Sequence, residues 1–254
     1  MPRLTEPEWI TPDWPAPASV CAISTTRQGG TSAAPYDSLN LAHHVDDDRT
    51  AVAANRRVLS AQLPEGTRLH WLNQVHGARV VSTAEQGLPA ADAIVSKDPK
   101  EACCVLAADC LPVLFCSRQG DVVAAAHAGW RGLAAGVLEC AVEAMNSARE
   151  DVMAWLGPAI GPGAFQVGED VRTAFSEGLE GGAEREVQAC FVPDLSRPGY
   201  FLANLYAIAR LRLHGLGVNQ VYGGQNCTYT EADRFYSYRR DGCTGRMASV
   251  IVLR

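Results

Sequence analysis

Residues 105–128 read VLAADCLPVLFCSRQGDVVAAAHA. Two apolar runs, Val105–Phe115 and Val122–Ala128, flank the polar segment SRQGD. Apolar runs joined by a short glycine-containing turn read as an antiparallel hairpin. A Gly-Trp-Arg-Gly turn follows, and from Leu133 to about Ala148 the sequence LAAGVLECAVEAMNSA has the spacing of a helix. Strand, strand, helix in immediate succession predicts an α/β fold. His127 stands at the hinge between the second run and that helix. Three readings are open for it: a packed core histidine, a metal ligand, or the base of a nucleophilic pair.

Working outward, Val20–Thr26 reads as a strand, and a long Gly/Ser/Pro/Asp-rich loop leads to Asp48. Asp48 suits an N-cap for a helix from Arg49 to about Leu63, with Pro64 ending it. Short strands are expected near Leu69–Leu72 and Arg79–Ser82. Beyond the hairpin come a strand in MAWLGPAIG (153–161), a helix around Asp170–Glu177 and a helix over Asn204–His214. Strands near Val218–Gly223 and Ala248–Leu253 close the chain. With no repeat and no linker, the expectation is one domain over residues 1–254. Its architecture is a layered sandwich of mixed β-sheets with flanking helices.

The 254 residues are 47% hydrophobic with a net charge of −6 and a pI near 5.5. That supplies a proper core and argues against a nucleic-acid partner, as does the lack of any Lys/Arg-rich block. The opening MPRLTEPEWITPDWPAP has no apolar leader core. The longest apolar stretch, ACCVLAADCLPVLFC, is interrupted by Asp109 and Pro112, so no membrane span of about 18 residues is expected. Nine cysteines, an odd number without a CxxC pair, predict reduced thiols and a cytoplasmic protein. Small molecules remain as partners. The oligomeric state is open, and a monomer fits.

If the hairpin turn centres between Arg118 and Gln119, Cys110 falls opposite His127. Directly opposed residues share a face with Cβ atoms about 5 Å apart. That suits two ligands of one metal, or a Cys–His catalytic pair; a bulge at Pro112 would shift the register. His76, in WLNQVHG, ends another apolar stretch at a strand–turn junction. Two His and one Cys give a zinc site with an open fourth position, the catalytic arrangement. No local spacing such as HExxH supports it, and buried core residues are the competing reading.

Five motifs carry a specific resemblance: NQVHG (73–77), AADC (107–110), HAGWRG (127–132), GPAIGP (157–162) and YSYRRDGCTGR (236–246). Together with TTRQGGTS…YDSLNLAHHVDDD (25–48) they resemble the YfiH-like laccase-domain family over nearly the whole chain. Its members are called polyphenol oxidases, purine nucleoside phosphorylases or peptidoglycan editing factors. The resemblance implies that His76, Cys110 and His127 are zinc ligands, copper being the alternative metal. It also implies phosphorolysis of adenosine, inosine, guanosine and methylthioadenosine, and deamination of adenosine.

Other residues are candidates on local grounds. Arg131, at a helix start, suits an anion; Arg27 and Arg239 are weaker anion anchors or loop tethers. Asp109 is a candidate acid or base, although a regular strand would point it away from Cys110. Asp92 could orient a ligand histidine. Asn40 and Gln74 carry amides suited to ribose or base edges. His43–His44 could add metal ligands, with an exposed loop as the preferred reading. Three other activities compete: a copper polyphenol oxidase, a cell-wall precursor editing hydrolase or amidase with Cys110 as nucleophile and His127 as base, and a binding module with structural zinc.

Overall fold

The apolar run from Val105 to Phe115 is two strands belonging to two different sheets. The computed structural model describes residues 8–254; residues 1–7, where the segment read as leaderless begins, lie outside the described residues. Along the chain come β1 (Val20–Ser24), α1 (Arg49–Ser60), β2 (Arg68–His70), β3 (Val80–Ser82) and β4 (Ala93–Ser96). Then follow β5 (Glu101–Ala107), β6 (Leu111–Ser117), β7 (Val123–Ala128), α2 (Trp130–Ala134), α3 (Val137–Met145) and β8 (Val152–Leu156). The last part holds β9 (Gln166–Gly168), α4 (Glu169–Ser176), α5 (Gly181–Gln188), β10 (Phe191–Pro193) and β11 (Tyr200–Ala203). It ends with α6 (Leu205–Gly215), β12 (Gln220–Gly223), α7 (Tyr238–Asp241) and β13 (Met247–Leu253).

Four layers result. One sheet has the order β1-β13-β5-β2 and a second the order β12-β8-β6-β7-β4-β3, both mixed. They stack face to face over Val105, Leu114, Cys116, Val123, Ala125, Trp155 and Ile251. The outer face of the first sheet packs on α1 through Leu59, Cys104, Leu106 and Val250. The outer face of the second packs on α3 and α6 through Phe115, Ala124, Ala126, Val137, Leu138 and Ile208. A small antiparallel sheet, β10-β11-β9, adjoins α4 and α5. This is the expected α/β sandwich with mixed sheets and flanking helices.

Strands buried on both faces lose the alternation of half-buried ones, which is why β6 and β7 read as unbroken apolar runs. The alanines of β7 are fully buried and let α3 approach the sheet closely. Asp48 caps α1 as expected, its carboxylate accepting from Thr50 N and Ala51 N at 2.6 and 3.2 Å.

Three expectations change. The hairpin pairs Pro112, not Cys110, with His127. Ser117 N donates to Val122 O at 3.0 Å, so residues 118–121 make the connection and the hairpin centres between Gln119 and Gly120, later than the sequence suggests. The helix from Leu133 to Ala148 is two helices, because Gly136 at φ 92° breaks it between α2 and α3. β4, α5 and the small sheet were not anticipated.

Candidate metal centre

Where β5 hands over to β6, the chain crosses from one sheet to the other in Ala108–Cys110. Asp109 there takes φ 94°, off the strand path, and delivers Cys110 to the sandwich edge. The connection from β2 to β3 makes the same crossing and carries His76, also left-handed at φ 61°. His127, one residue before the end of β7, completes the group. Ligand atoms of His76, Cys110 and His127 all lie within 4.8 Å of one another. Cys110 Sγ is 3.9 Å from His76 Nε2, and the two imidazoles stand nearly perpendicular with centroids 4.9 Å apart.

Asp92 holds this arrangement from behind. It is fully buried just ahead of β4. One carboxylate oxygen accepts from His76 N and His127 Nδ1, both at 2.9 Å. The other accepts from Val75 N at 3.1 Å and Gly77 N at 2.7 Å. One carboxylate therefore fixes the His76 loop and the orientation of the His127 ring together. Burial acts to raise its pKa, but the His127 ring and the loop amides outweigh it and keep the group below the usual carboxylate range. Gln74 pins the same loop to β5, its amide both accepting from and donating to the backbone of Leu106 at 2.8 Å.

Gly129 is required by close approach. A Cβ there would sit 2.9 Å from Cys110 Sγ and 3.1 Å from His76 Cδ2.

The lowered Cys110 thiol matches a metal donor, whereas His127 must give up a proton to become one. Burial pushes the Cys110 thiol up, yet the His127 and His76 imidazoles reverse this and bring it to about 6. Burial lowers His127, but the Cys110 sulfur and the Asp92 carboxylate raise it to about 9. A thiolate with two imidazoles is a borderline-soft set suited to zinc, and copper also accepts it. Since His127 Nδ1 faces Asp92, Nε2 is left as its donor, with the tautomer set by the carboxylate.

The cluster opens on a cavity of about 390 Å3, walled by Gln74, Leu106–Ala108, His44, Tyr238 and Arg246. His44, Tyr238 and Arg246 were not among the expected site residues. Tyr238 and Arg246 lie within the quoted motif 236–246, but no spacing ties them to His76. The place of β13 beside β5, with backbone contacts to Asn40 and Leu41, brings Arg246 here.

The other expected residues fall around or away from this centre. Asp109 is adjacent, but its carboxylate accepts from Thr228 Oγ1 at 2.6 Å and Arg239 N at 2.7 Å, which anchors the 228–239 segment. The Arg239 side chain reaches Gln166 O at 2.9 Å. Asn40 is fully buried; its oxygen accepts from Arg246 N at 3.0 Å and its nitrogen donates to Asp47 at 2.8 Å, so it faces no ligand. Arg27 lies over Tyr236 and binds Asp37 O and Ala232 O, lining a separate cavity. Arg131 is exposed on the five-residue α2 and stacks on Trp130.

A family described as multi-copper polyphenol oxidoreductase laccase matches residues 21–254. A purine nucleoside phosphorylase of Pseudomonas aeruginosa is 53% identical over 246 residues, covering 97% of this chain and 98% of its own. The Escherichia coli purine nucleoside phosphorylase YfiH is 49% identical over 246 residues, with 96% and 98% covered. Among solved structures, a Neisseria meningitidis protein superposes with a TM-score of 0.91 at 51% identity, covering 96% of this chain and 98% of that one. YlmD from Geobacillus stearothermophilus gives 0.85 at 32% identity, with 97% and 96% covered.

Proposed function

The chain belongs to the multi-copper polyphenol oxidoreductase laccase family, and from that premise we propose that it is a zinc-dependent purine nucleoside phosphorylase that also deaminates adenosine. Its substrates on this reading are adenosine, inosine, guanosine and methylthioadenosine. The observation that carries it is a pre-arranged His76–Cys110–His127 group opening on a cavity of about 390 Å3, within the range usual for small-molecule sites. Relatives 53% and 49% identical are named purine nucleoside phosphorylases. Nine free thiols support a cytoplasmic setting.

His76, Cys110 and His127 would hold the zinc, and the chemistry such an ion supplies is Lewis acidity toward the polar groups of a bound nucleoside. Asp92 keeps His127 Nδ1 protonated and its ring fixed. Cys110, already lowered, loses its proton readily to metal binding. Tyr238, 62% exposed at the mouth, offers a face to a purine ring. Phosphorolysis places a phosphate oxygen at C1′ while the glycosidic bond breaks with oxocarbenium character, so an anion must be anchored beside the sugar. Deamination replaces the C6 amino group with oxygen from water and needs no such anchor.

Incubating the zinc-loaded protein with adenosine, with and without phosphate, tests this reading. Adenine with ribose 1-phosphate supports phosphorolysis and inosine supports deamination; neither product in metal-replete protein refutes both.

One observation favours a second reading. A lowered thiol beside a raised imidazole is also the signature of a Cys–His hydrolase, which fits an editing enzyme for cell-wall precursors. Zinc chemistry is lost to a chelator and restored by Zn2+, whereas a thiol hydrolase survives chelation and dies on alkylation. Copper oxidation fits less well. Six histidines serve the whole chain, and the described residues hold one group with metal-binding geometry. Stoichiometric copper in protein purified without added metal would reinstate it.

A further inference from the structure

Arg246 enters the cavity from the segment that leads into β13. Its position is built rather than incidental. The backbone N–H donates to Asn40 Oδ1 at 3.0 Å, and Asn40 is in turn held by Asp47 and the Ala42 backbone. The side chain folds so that Nη1 donates to Thr244 O at 2.8 Å and Gly245 O at 3.0 Å. Nη2 and Nε make no hydrogen bond among the described residues.

The charge is also unmatched. Among the described residues Arg246 enters no ion pair. The nearby Asp109 carboxylate is occupied by Thr228 and by the Arg239 backbone. No other lysine or arginine lines this cavity. The Cys110 sulfur and the Asp109 carboxylate favour its charge without pairing with it, so this half-buried guanidinium, in a protein of net charge −6, still gains from an anion that completes it. A guanidinium with free N–H groups on one side suits two oxygens of a tetrahedral anion better than an ammonium would.

We propose that Arg246 is the phosphate anchor of this cavity, binding a phosphate group through the N–H groups left over from its backbone contacts, beside the His76–Cys110–His127 cluster. The proposal rests on the phosphorolysis reading for its consequence, though not for the binding itself. In that reaction one oxygen of H2PO4− forms a bond to C1′ of the ribose. The C1′–N9 bond breaks, its electron pair goes to the purine, and the proton given up by the phosphate ends on the departing base. Ribose 1-phosphate and the free purine account for every atom. Arg246 holds the nucleophile and neutralises charge without exchanging a proton.

The same recognition would serve free phosphate or the 5′-phosphate of a nucleotide, and the experiment separates them. Zinc-loaded wild type, Arg246→Met and Arg246→Lys are titrated calorimetrically with inorganic phosphate and with AMP. The Michaelis constants for phosphate and nucleoside are measured separately, and zinc content checks that each variant is intact. Arg246→Met is expected to raise the KM for phosphate by about tenfold to a hundredfold. The nucleoside KM and zinc content stay within twofold of wild type, and lysine rescues in part. AMP binding that depends on Arg246, without binding of inorganic phosphate, assigns the phosphate to the substrate. A zinc-replete Arg246→Met protein that binds both ligands like wild type, with an unchanged phosphate KM, overturns the assignment. If wild type shows no phosphorolysis the functional reading fails alone, and the titrations still decide Arg246: loss of binding in the methionine variant upholds it, and no binding by wild type refutes it.

Discussion

Replacing Asp92 with asparagine should uncouple the two histidine ligands with almost no change in shape. Both orientations of the new amide are poor. In one, its NH2 faces the N–H groups of Val75 and Gly77. In the other it faces His76 N–H and His127 Nδ1, which drives the imidazole proton onto Nε2, the atom a metal requires. Two charge-assisted hydrogen bonds are lost either way, each worth about 1.5–3 kcal/mol. With partial relaxation of the loop the net loss is about 3 kcal/mol, a fall in Tm of about 6–12 °C for a domain of this size. Zinc affinity should drop about 10- to 100-fold. Because the folded carboxyl is held below its usual range, its contribution is complete above the unfolded value of about 3.9 and is lost as pH falls through the lower folded value. The carboxyl's own part of the gap between wild type and variant is therefore full at pH 7 and closes in acid, while the part that raises His127 fades as pH climbs toward about 9. Thermal unfolding of metal-free protein across pH, with competitive zinc titration, measures both quantities. An Asp92→Asn protein within 1 °C and twofold of wild type at pH 7 would refute the reasoning.

Three further outcomes are expected. Gly129→Ala should keep the fold, read by circular dichroism, while crowding Cys110 and His76 enough to weaken zinc binding about tenfold or more, as loss of a ligand's supporting contact does. Asp109→Asn should retain most activity, since an amide can accept from Arg239 N and donate to Thr228 Oγ1, whereas Asp109→Ala loses both; equal loss in the two variants would instead mark Asp109 as a proton donor or acceptor. Stripping the metal should lower Tm without unfolding the protein, because the ligands hang on a sandwich whose core is independent of them; a chelated protein with the far-UV spectrum of an unfolded chain would contradict this.

How far the sequence spoke can be read at Cys110. The apolar run through it gave no hint of a corner between sheets, since strands buried on both faces and a tight crossover of Ala-Ala-Asp-Cys look alike in hydropathy. The expected register was two residues off, yet Cys110 still meets His127. The bend at Asp109 compensates for the later turn. Asp48 and the ends of α6 were legible because capping chemistry is local. The break at Gly136 was overlooked because a single glycine is tolerated inside many helices. α5, in GGAEREVQ, has little apolar periodicity and one buried residue, Val187. Arg246 was invisible for a different reason: its relation to the ligands is made by long-range contacts, the pairing of β13 and the backbone bonds to Asn40 and Leu41.

That pairing has a consequence for how the molecule is made. β13 lies between β1 and β5, matching Leu253 to Val20 and Met247 to Ala107. Until residues 247–253 leave the ribosome, β1 has no neighbour in its sheet and β5 presents a bare edge. The same stretch brings Arg246 to the cavity just ahead of it. A chain released early therefore lacks the strand that joins its first sheet and the cation beside its metal ligands together. Its exposed strand edges would invite aggregation or degradation, so core and site are completed by the same few residues, at the same moment of synthesis.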